Sequence, residues 1–386
     1  MAMHLDEERE QRQQQIDRFV KKEAASSLNG IDEFPVALWR KMGKAGLLGL
    51  GIPGAYGGSG GDWLSIQTAG EAFVRRSHNL GIALSWLIHL IICRFAVLGF
   101  GTNKQIEQWL PRLATGEITP SLAISEPGTG AHPKYLRTSA LREGEDWVLT
   151  GEKSFLTNGP LAGLFVVLAV SATEGGKKQM TAFLVPRETP GLSLTDPLRL
   201  DFLKPSPHCG IRLEACRISS DQVLGSQGDA FERISKPFRD LEDVMLMGPV
   251  AGGMQVQMAA LPDLIERQGI VPTDDLKTAL GELQFRLDAL RILAYEAAAM
   301  LDSGRGHPEF PSLLLSFRSL AGQFQSRLTQ VLDQSGIKTD PAWATLAKDL
   351  TMTLGVAGHV ALIKQRKIGE AVLLTRRKDS SYADHS

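Results

Sequence analysis

The first part of the chain repeats apolar residues every three or four positions, between polar ones. This period predicts amphipathic helices, and a Thr102-Asn103-Lys104-Gln105 capping box predicts the start of a further one. We therefore expect a helical domain over residues 1–118. The four helices predicted before the capping box lie at 12–25, 34–45, 64–76 and 80–98.

The pattern changes after Glu117 to short runs that are apolar throughout or alternate between apolar and polar residues. Gly, Pro, Asn and Asp residues separate these runs, which is typical of an all-β domain of sandwich or barrel type. We expect this domain to span residues 119–228. The clearest predicted strands lie at 147–150, 165–170, 180–185 and 210–213.

Long helical periods return after Ala230. Short breaks between them predict an antiparallel four-helix bundle over residues 229–386. The predicted fold class is therefore α+β with three domains: an N-terminal helical domain, a central β domain and a C-terminal bundle. The predicted helices of the bundle lie at 238–260, 273–301, 311–336 and 341–357.

The stretch 80–100 is long and apolar enough to imitate a membrane-spanning helix. It contains Ser85, His89 and Arg94, however, and a charge at membrane depth is costly, so we expect a buried helix and no membrane span. The N-terminus is polar and shows no signal-peptide pattern. A cytoplasmic location is the expectation.

Composition excludes several classes of protein. The 386 residues are 43% hydrophobic and 22% charged with a formal net charge of −1, which argues against a dedicated nucleic-acid binder. Three scattered cysteines are too few for a disulfide framework or a zinc site. A dinucleotide-like Gly49-x-Gly51-x-x-Gly54 pattern does not follow a strand or open a helix, so a tight turn is the better interpretation.

Two segments of the β region carry a family resemblance. Residues 122–132 include Ser125-Glu126-Pro127-Gly128 and are similar to the T-E-P-G-A-G-S-D signature of the acyl-CoA dehydrogenases. Residues 149–159 resemble the L-N-G-x-K-x-W-I-T-N-G motif of the same family. Weaker matches extend the resemblance over nearly the whole chain. It implies the family fold, bound FAD, and removal of a proton and a hydride from an acyl thioester.

The resemblance also implies flavin contacts for four residues. Ser125 and Thr157 would hydrogen-bond the flavin ring, Phe155 would pack on it, and Thr375 matches a further flavin-contacting threonine. For Phe155, a core aromatic of a β-hairpin is an equal alternative. Relatives have Ser-Asp near the thioester carrier where this chain has Ala131-His132, so CoA and an acyl-carrier protein both stay open as carriers. His132 is then either a functional substitute or an exposed loop residue.

The position of the catalytic base is the main question. Most family members carry a glutamate where this chain has Leu373, whereas isovaleryl-type and long-chain-type members carry it where this chain has Glu242. A carboxylate beside an apolar acyl chain has a raised pKa and is a stronger base. The alternative for Glu242 is an acid in the first turn of a helix, stabilised by the helix dipole. Glu370 is a possible surrogate base.

The neighbours of Glu242 support two further expectations. Asp243 replaces the arginine of relatives, which removes a positive partner, and we expect its side chain to point to a different face of the helix. Gly248, Gly252 and Gly253 are expected to let a ligand or flavin approach the helix backbone.

Three functions are compatible with these residues. The first is an active acyl-thioester dehydrogenase that passes electrons to an acceptor such as an electron-transfer flavoprotein. The second is a catalytically degenerate subunit of a hetero-oligomer. In relatives, an Arg-x-x-Phe-Gly motif reaches the flavin of a neighbouring subunit, and only its glycine, Gly269, is present in this chain. The third is a flavin monooxygenase of the same fold. The resemblance implies an oligomer, a dimer or tetramer, in each case.

Overall fold

Helices fill the first part of the chain. The computed structural model describes residues 6–23, 28, 31–304, 307, 309–356 and 358–383, with side chains up to residue 373. The predicted helices are confirmed within the described residues, and positions 24 and 25, the predicted end of the first helix, lie outside them. The Thr102 and Gln105 side chains form the predicted reciprocal capping box. The helices are α1 (Glu7–Glu23), α2 (Val36–Lys44), α3 (Trp63–Ser77), α4 (Leu80–Ile91), which continues into a π-helical segment, and α5 (Asn103–Ala114).

The middle of the chain forms one mixed sheet that is not closed. Its order is β6-β7-β3-β2-β4-β5-β8, and β1 pairs in parallel with β4 outside that path. The four predicted strands lie within β3, β4, β5 and β7, whereas the other four strands are too short to show a clear alternation. The strands are β1 (Thr119–Ala123), β2 (Ser139–Glu143), β3 (Asp146–Thr157), β4 (Ala162–Glu174), β5 (Lys177–Pro186), β6 (Leu192–Leu194), β7 (His208–Ser219) and β8 (Val223–Leu224).

Strand β4 is buried on both faces of the sheet. Leu164, Val166 and Leu168 belong to the core shared with the helices, and Phe165 and Val167 belong to a second core on the opposite face. This double burial explains the continuous apolar run of the strand, since a strand covered on both faces has no polar side. The sheet therefore has one face that packs toward the helices.

The C-terminal region is helical, as predicted, but the expected helix over 238–260 is divided at Leu246. Pro249 has no N–H to donate to the Met245 carbonyl, which ends the first helix there. Close to this division, the Gln67 side chain of α3 donates to the Val244 carbonyl at 2.9 Å. The helices are α6 (Lys236–Met245), α7 (Met247–Arg267), α8 (Asp274–Asp302), α9 (Phe310–Ser335), α10 (Pro341–Gly355) and α11 (Gly358–Ala383).

The glycines of α7 serve packing between helices. A Cβ on Gly248 would lie 2.3 Å from the carbonyl oxygen of Gln67, and one on Gly252 would lie 2.4 Å from that of Glu71. Gly253 packs against a leucine side chain of α10. The expectation that these glycines admit a ligand is wrong, because the backbone of α3 and the side chains of α10 occupy that space.

Two helical stretches among the described residues are long and apolar enough to cross a membrane, and a bent pair of helices (341–355 and 358–373) would make a third. The stretches are Leu80–Leu98 and Phe231–Arg267. Within the protein, 89% of an apolar 18-residue segment of the first stretch is buried, and 67% of such a segment of the second is buried. The expectation of a buried helix at 80–98 is confirmed, because other parts of the chain cover its apolar surface.

Candidate active site

A cavity of about 590 Å³ lies between the sheet and helices α4, α6, α9, α10 and α11. Its walls are mostly apolar, with a few polar groups, which is the usual character of a site for a small ligand or cofactor. Four of the five residues predicted for the site line this cavity: Ser125, Phe155, Thr157 and Glu242.

Helix α6 presents one face to the core and the other to the cavity. Residues spaced three or four apart share a helix face, so the sequence divides α6 into two stripes. Leu241, Val244 and Met245 belong to the buried core. The cavity-facing stripe comprises Phe238, Arg239, Glu242 and Asp243, and Leu246 continues it just beyond the end of the helix.

Glu242 faces the cavity with a raised pKa. Burial raises the pKa of its carboxyl to about 7, although the Arg239 guanidinium lowers it and the Asp243 carboxylate raises it further. Among the described residues, no hydrogen bond or ion pair engages this carboxyl. Helix α6 begins at Lys236, so Glu242 lies beyond its first turn and the alternative of a first-turn acid is wrong.

Asp243 lines the same cavity and raises the pKa of Glu242, so the expectation that it points elsewhere is wrong. Burial raises the pKa of Asp243 as well, and Lys364 opposes this with its Nζ 3.5 Å from the Asp243 carboxylate. Lys364 also lies 2.7 Å from Asp240. Glu242 and Asp243 therefore lie on the same wall of the cavity, because the side of α6 that faces the cavity is wider than one row of residues.

The cavity also keeps the positive charge that sequence reasoning expected to be lost. Arg239, Arg318 and Lys364 line it from α6, α9 and α11. The spacing of Arg239 and Glu242, three residues apart on one helix, is a signal that could have identified Arg239. Arg318 and Lys364 left no such signal, because they are distant in sequence from Glu242.

A buried ion pair holds the loop that carries Ser125. Lys153 Nζ lies 2.9 Å from Glu126 Oε1 and donates to the Ile124 carbonyl at 3.0 Å. The Glu126 carboxylate also accepts from the backbone N–H of Thr138 at 2.9 Å. Burial alone would raise the pKa of Glu126, but Lys153 and Thr138 lower it below its usual value. Burial lowers the pKa of Lys153 to about 8, against the opposing effect of Glu126.

The neighbouring strand brings Ser154 and Phe155 to the cavity. The Ser154 N–H donates to the Ser125 carbonyl at 2.9 Å, and the Ser154 hydroxyl is buried without a partner among the described residues. Phe155 has a φ of 57° in a bulge between Lys153 and Leu156 and is 61% exposed. The alternative of a hairpin core aromatic is therefore wrong, because the bulge turns the ring out of the core.

Thr157 ends β3 at the cavity wall, opposite His208 at the start of β7. Thr157 Oγ1 lies 3.0 Å from His208 Nε2. His208 also lines the cavity, although no motif in the sequence pointed to it. The signal in the sequence is weak, since a single histidine at the start of a strand does not reveal which residue faces it.

Several residues considered from the sequence lie elsewhere. Leu373 is 71% exposed on α11, and Glu370 is also exposed there and does not line the cavity. The side chain of Thr375 lies outside the described residues. His132 is exposed in a loop with its ring centroid 4.8 Å from that of Tyr135, as the loop interpretation expected.

The chemical capacity of the cavity follows from its two sides. Glu242, with a pKa of about 7, is ionised in part at neutral pH and can take a proton from a ligand in an apolar setting. Ser125 and Ser154 present hydroxyls that can donate or accept hydrogen bonds, and Thr157 adds a hydroxyl oxygen at the same wall. This combination suits removal of a weakly acidic carbon-bound proton.

Comparison with models of known protein families shows to which family this chain is related. The family model of the acyl-CoA dehydrogenase N-terminal domain matches residues 6–117, and that of the middle domain matches residues 121–216. Together these matches cover more than half of the 386 residues. This chain belongs to the acyl-CoA dehydrogenase family. Glu242 lies beyond both matched regions.

Curated relatives extend the match within the acyl-CoA dehydrogenase family. An acyl-CoA dehydrogenase of Bacillus subtilis is 29% identical over 328 residues, covering 82% of this chain and 85% of the relative. An L-prolyl-[peptidyl-carrier protein] dehydrogenase of Pseudomonas fluorescens is 30% identical over 277 residues, covering 70% of this chain and 73% of the relative. Butyryl-CoA dehydrogenase from Megasphaera elsdenii has the same fold, with a TM-score of 0.83, 20% identity, and coverage of 97% of this chain and 100% of that one.

Proposed function

We propose that this chain is a FAD-dependent acyl-thioester dehydrogenase in which Glu242 removes the α-proton of the substrate. The observation that carries the proposal is the position of Glu242, with a pKa of about 7, in the same cavity as Ser125, Phe155 and Thr157. A base with a pKa near the working pH is well matched to general-base catalysis.

The residues of the cavity fit FAD. The Ser154 hydroxyl is buried and has no hydrogen-bond partner in the described part of the chain, and Ser125 and Thr157 add two hydroxyls at the same wall. Phe155 offers an exposed, flat apolar surface on which a ring can pack. These four residues would hold the ring, and FAD when bound would supply the acceptor for the β-hydride.

The chain's own groups prepare the proton transfer. The apolar walls exclude water and raise the pKa of Glu242, which strengthens its carboxylate as a base. Arg239 favours the ionised carboxylate, so it keeps the base available near neutral pH. Lys153 and Glu126 hold the Ser125 loop in place on the opposite side.

The carrier of the acyl group is CoA or a carrier protein. Ala131 lines the cavity where relatives have a serine, and His132 points to solvent where they have an aspartate. One relative is named for a peptidyl-carrier-protein substrate. Both kinds of thioester therefore belong in a substrate screen.

The first test is the visible spectrum and FAD stoichiometry of the purified protein. Full occupancy is expected, followed by reduction of an artificial dye with at least one acyl-CoA or acyl-carrier-protein thioester. Protein that cannot be loaded with FAD, or loaded protein inactive on both thioester classes, would contradict the proposal.

We propose that the chain works as an oligomer. Several large apolar side chains on α8 and α11 are exposed, and a partner subunit would cover them. Light scattering on the purified protein should show a dimer or tetramer, and a monomer at micromolar concentration would contradict this. The exposed side chains are Phe285 and Ile292 of α8, and Leu362, Ile363, Val372 and Leu373 of α11.

A second candidate function is a catalytically degenerate subunit of a hetero-oligomer. Leu373 stands where most relatives carry the base, and the Arg-x-x-Phe-Gly motif is reduced to Gly269. Gln268, next to it, exchanges two hydrogen bonds with the Lys338 backbone of the same chain. Co-purification with a second family member that restores FAD binding would favour this candidate over the first.

A further inference from the structure

Thr157 and His208 face each other across β3 and β7 at the cavity wall. The register of the two strands pairs them directly, and residues so paired carry their side chains on the same face of the sheet. Thr157 Oγ1 lies 3.0 Å from His208 Nε2. His208 is 7% exposed and lines the cavity.

The contact made by the second ring nitrogen, Nδ1, determines which nitrogen of His208 carries the proton. His208 Nδ1 lies 3.0 Å from the Ser206 carbonyl oxygen, and a carbonyl can only accept, so Nδ1 carries the proton. Burial lowers the pKa of His208, with the Ser206 hydrogen bond opposing, so the ring is neutral at neutral pH. Nε2 then has a free lone pair and accepts the hydrogen bond of the Thr157 hydroxyl.

The segment that holds Ser206 is itself fixed. The Asn158 N–H donates to the Pro207 carbonyl at 2.9 Å, and the Asn158 side chain donates to the Ser85 carbonyl at 2.8 Å. The Ser206 and Ser85 hydroxyls lie 2.9 Å apart. The carbonyl that orients His208 therefore has a defined position relative to α4 and β3.

We infer that His208 is a positioning residue that accepts a hydrogen bond from the Thr157 hydroxyl and leaves Thr157 Oγ1 as a hydrogen-bond acceptor toward the cavity. The inference rests on the proposed function, in which Thr157 contacts the reactive edge of the flavin. An oxidised flavin ring has an unprotonated nitrogen at that edge, and the two-electron-reduced ring has an N–H. A hydroxyl that can only accept favours the reduced ring, so His208 raises the midpoint potential of bound FAD.

Two conservative substitutions separate this role from a structural one. An asparagine amide can replace Nδ1 and keep the Ser206 hydrogen bond, whereas a glutamine carbonyl can reach the place of Nε2 and accept from Thr157. The midpoint potential of bound FAD is measured by equilibration with a redox dye. His208→Asn should lower the ratio of reduced to oxidised FAD about tenfold at a fixed dye potential, which corresponds to one hydrogen bond. His208→Gln should stay near wild type.

The same substitution in a Thr157→Val background tests the path of the effect. Without the Thr157 hydroxyl, His208→Asn should cause no further change in midpoint potential. An equal fall in both backgrounds, or equal potentials for His208→Asn, His208→Gln and wild type, would overturn the inference. Circular dichroism and FAD content of each variant confirm that it is folded and loaded.

The tautomer of His208 is measurable without FAD. Nitrogen NMR of selectively labelled, FAD-free protein should show a neutral ring protonated at Nδ1. A ring protonated at Nε2 would overturn the inference, whether or not FAD binds. Failure to load FAD would instead contradict the proposed function, and the tautomer would still decide whether Thr157 is an acceptor.

Discussion

Arg239 and Glu242 lie three residues apart on α6 and line the same wall of the cavity. Burial raises the pKa of Glu242 to about 7, and the Arg239 guanidinium limits that rise. Asp243 acts on Glu242 in the opposite direction. The ionisation of the proposed base therefore depends on two neighbours of opposite charge, which can be removed one at a time.

The pH dependence of kcat/KM should report the ionisation of Glu242. Because a general base must be deprotonated, kcat/KM should rise with pH and level off above an apparent pKa near 7. Steady-state rates with a dye acceptor between pH 5 and 9 measure this limb. A flat profile across the range would contradict the assignment of the base.

Removal of a charge beside Glu242 should move the rising limb of the pH profile of kcat/KM, in a direction that depends on the sign of the charge removed. Asp243→Asn removes a negative neighbour and should shift the limb to lower pH, whereas Arg239→Gln removes a positive one and should shift it to higher pH. Asp263→Asn, which removes an exposed carboxylate of α7, is the matched control and should leave it in place. Shifts in the same direction for both cavity variants would contradict the opposite effects assigned to the two charges.

Stability should also reveal the raised pKa of Glu242, independently of activity. The folded pKa of about 7 exceeds the usual 4.5, so the folded state holds the proton more tightly, and the free energy of unfolding falls as pH rises through this window. Glu242→Gln should match wild type at pH 4 and be more stable at pH 8 by up to about 3 kcal/mol. Urea titrations of the FAD-free proteins at both pH values measure the difference, and equal stability at pH 8 would count against a raised pKa for Glu242.

Loss of the buried Lys153–Glu126 pair should lower the free energy of unfolding far more than loss of a surface pair. Lys153→Met leaves the Glu126 carboxylate buried without its cation and should destabilise the fold by about 3–5 kcal/mol. Lys104→Met breaks the exposed pair with Asp221 and should cost at most about 1 kcal/mol. Denaturant unfolding and FAD retention measure both. A Lys153→Met protein that unfolds like the Lys104 variant and retains FAD would contradict the clamp on the Ser125 loop.

The two kinds of helical glycine should respond oppositely to alanine. Gly252→Ala places a methyl 2.4 Å from the Glu71 carbonyl oxygen and should destabilise the fold by about 1–3 kcal/mol through forced separation of α7 and α3. Gly281 of α8 has open space around it, so Gly281→Ala should stabilise the fold by up to about 1 kcal/mol. Thermal melts compare the two variants, and a harmless Gly252→Ala would contradict the close contact of α3 and α7.

The sequence predicted the helices other than α11, and the longer strands, because their apolar periods are long. The short strands β6 and β8 gave no such period, and the sheet's openness depends on which strands pair, which periodicity does not record. The break at Leu246 was hidden by a continuous apolar pattern, although Pro249 offered a local signal. Elements with a long local pattern were therefore predictable from the sequence, whereas the pairing and packing of distant elements were not.

The candidate site follows the same division. Ser125, Phe155, Thr157 and Glu242 were found from motif-bearing segments, and the cavity brings all four together. The role of the α7 glycines was misjudged, because the sequence does not show that α3 lies against them. His208, Arg318 and Lys364 reach the cavity through tertiary packing and could be found only in the folded chain.

The most direct test of the account is anaerobic mixing of FAD-loaded protein with an acyl thioester found active in the screen. Wild-type protein and Glu370→Gln should bleach the visible flavin band at the same rate. Glu242→Gln should bleach it about 10²- to 10⁴-fold more slowly, the usual contribution of a general base. Bleaching of Glu242→Gln at the wild-type rate, or loss of bleaching in Glu370→Gln, would contradict Glu242 as the base.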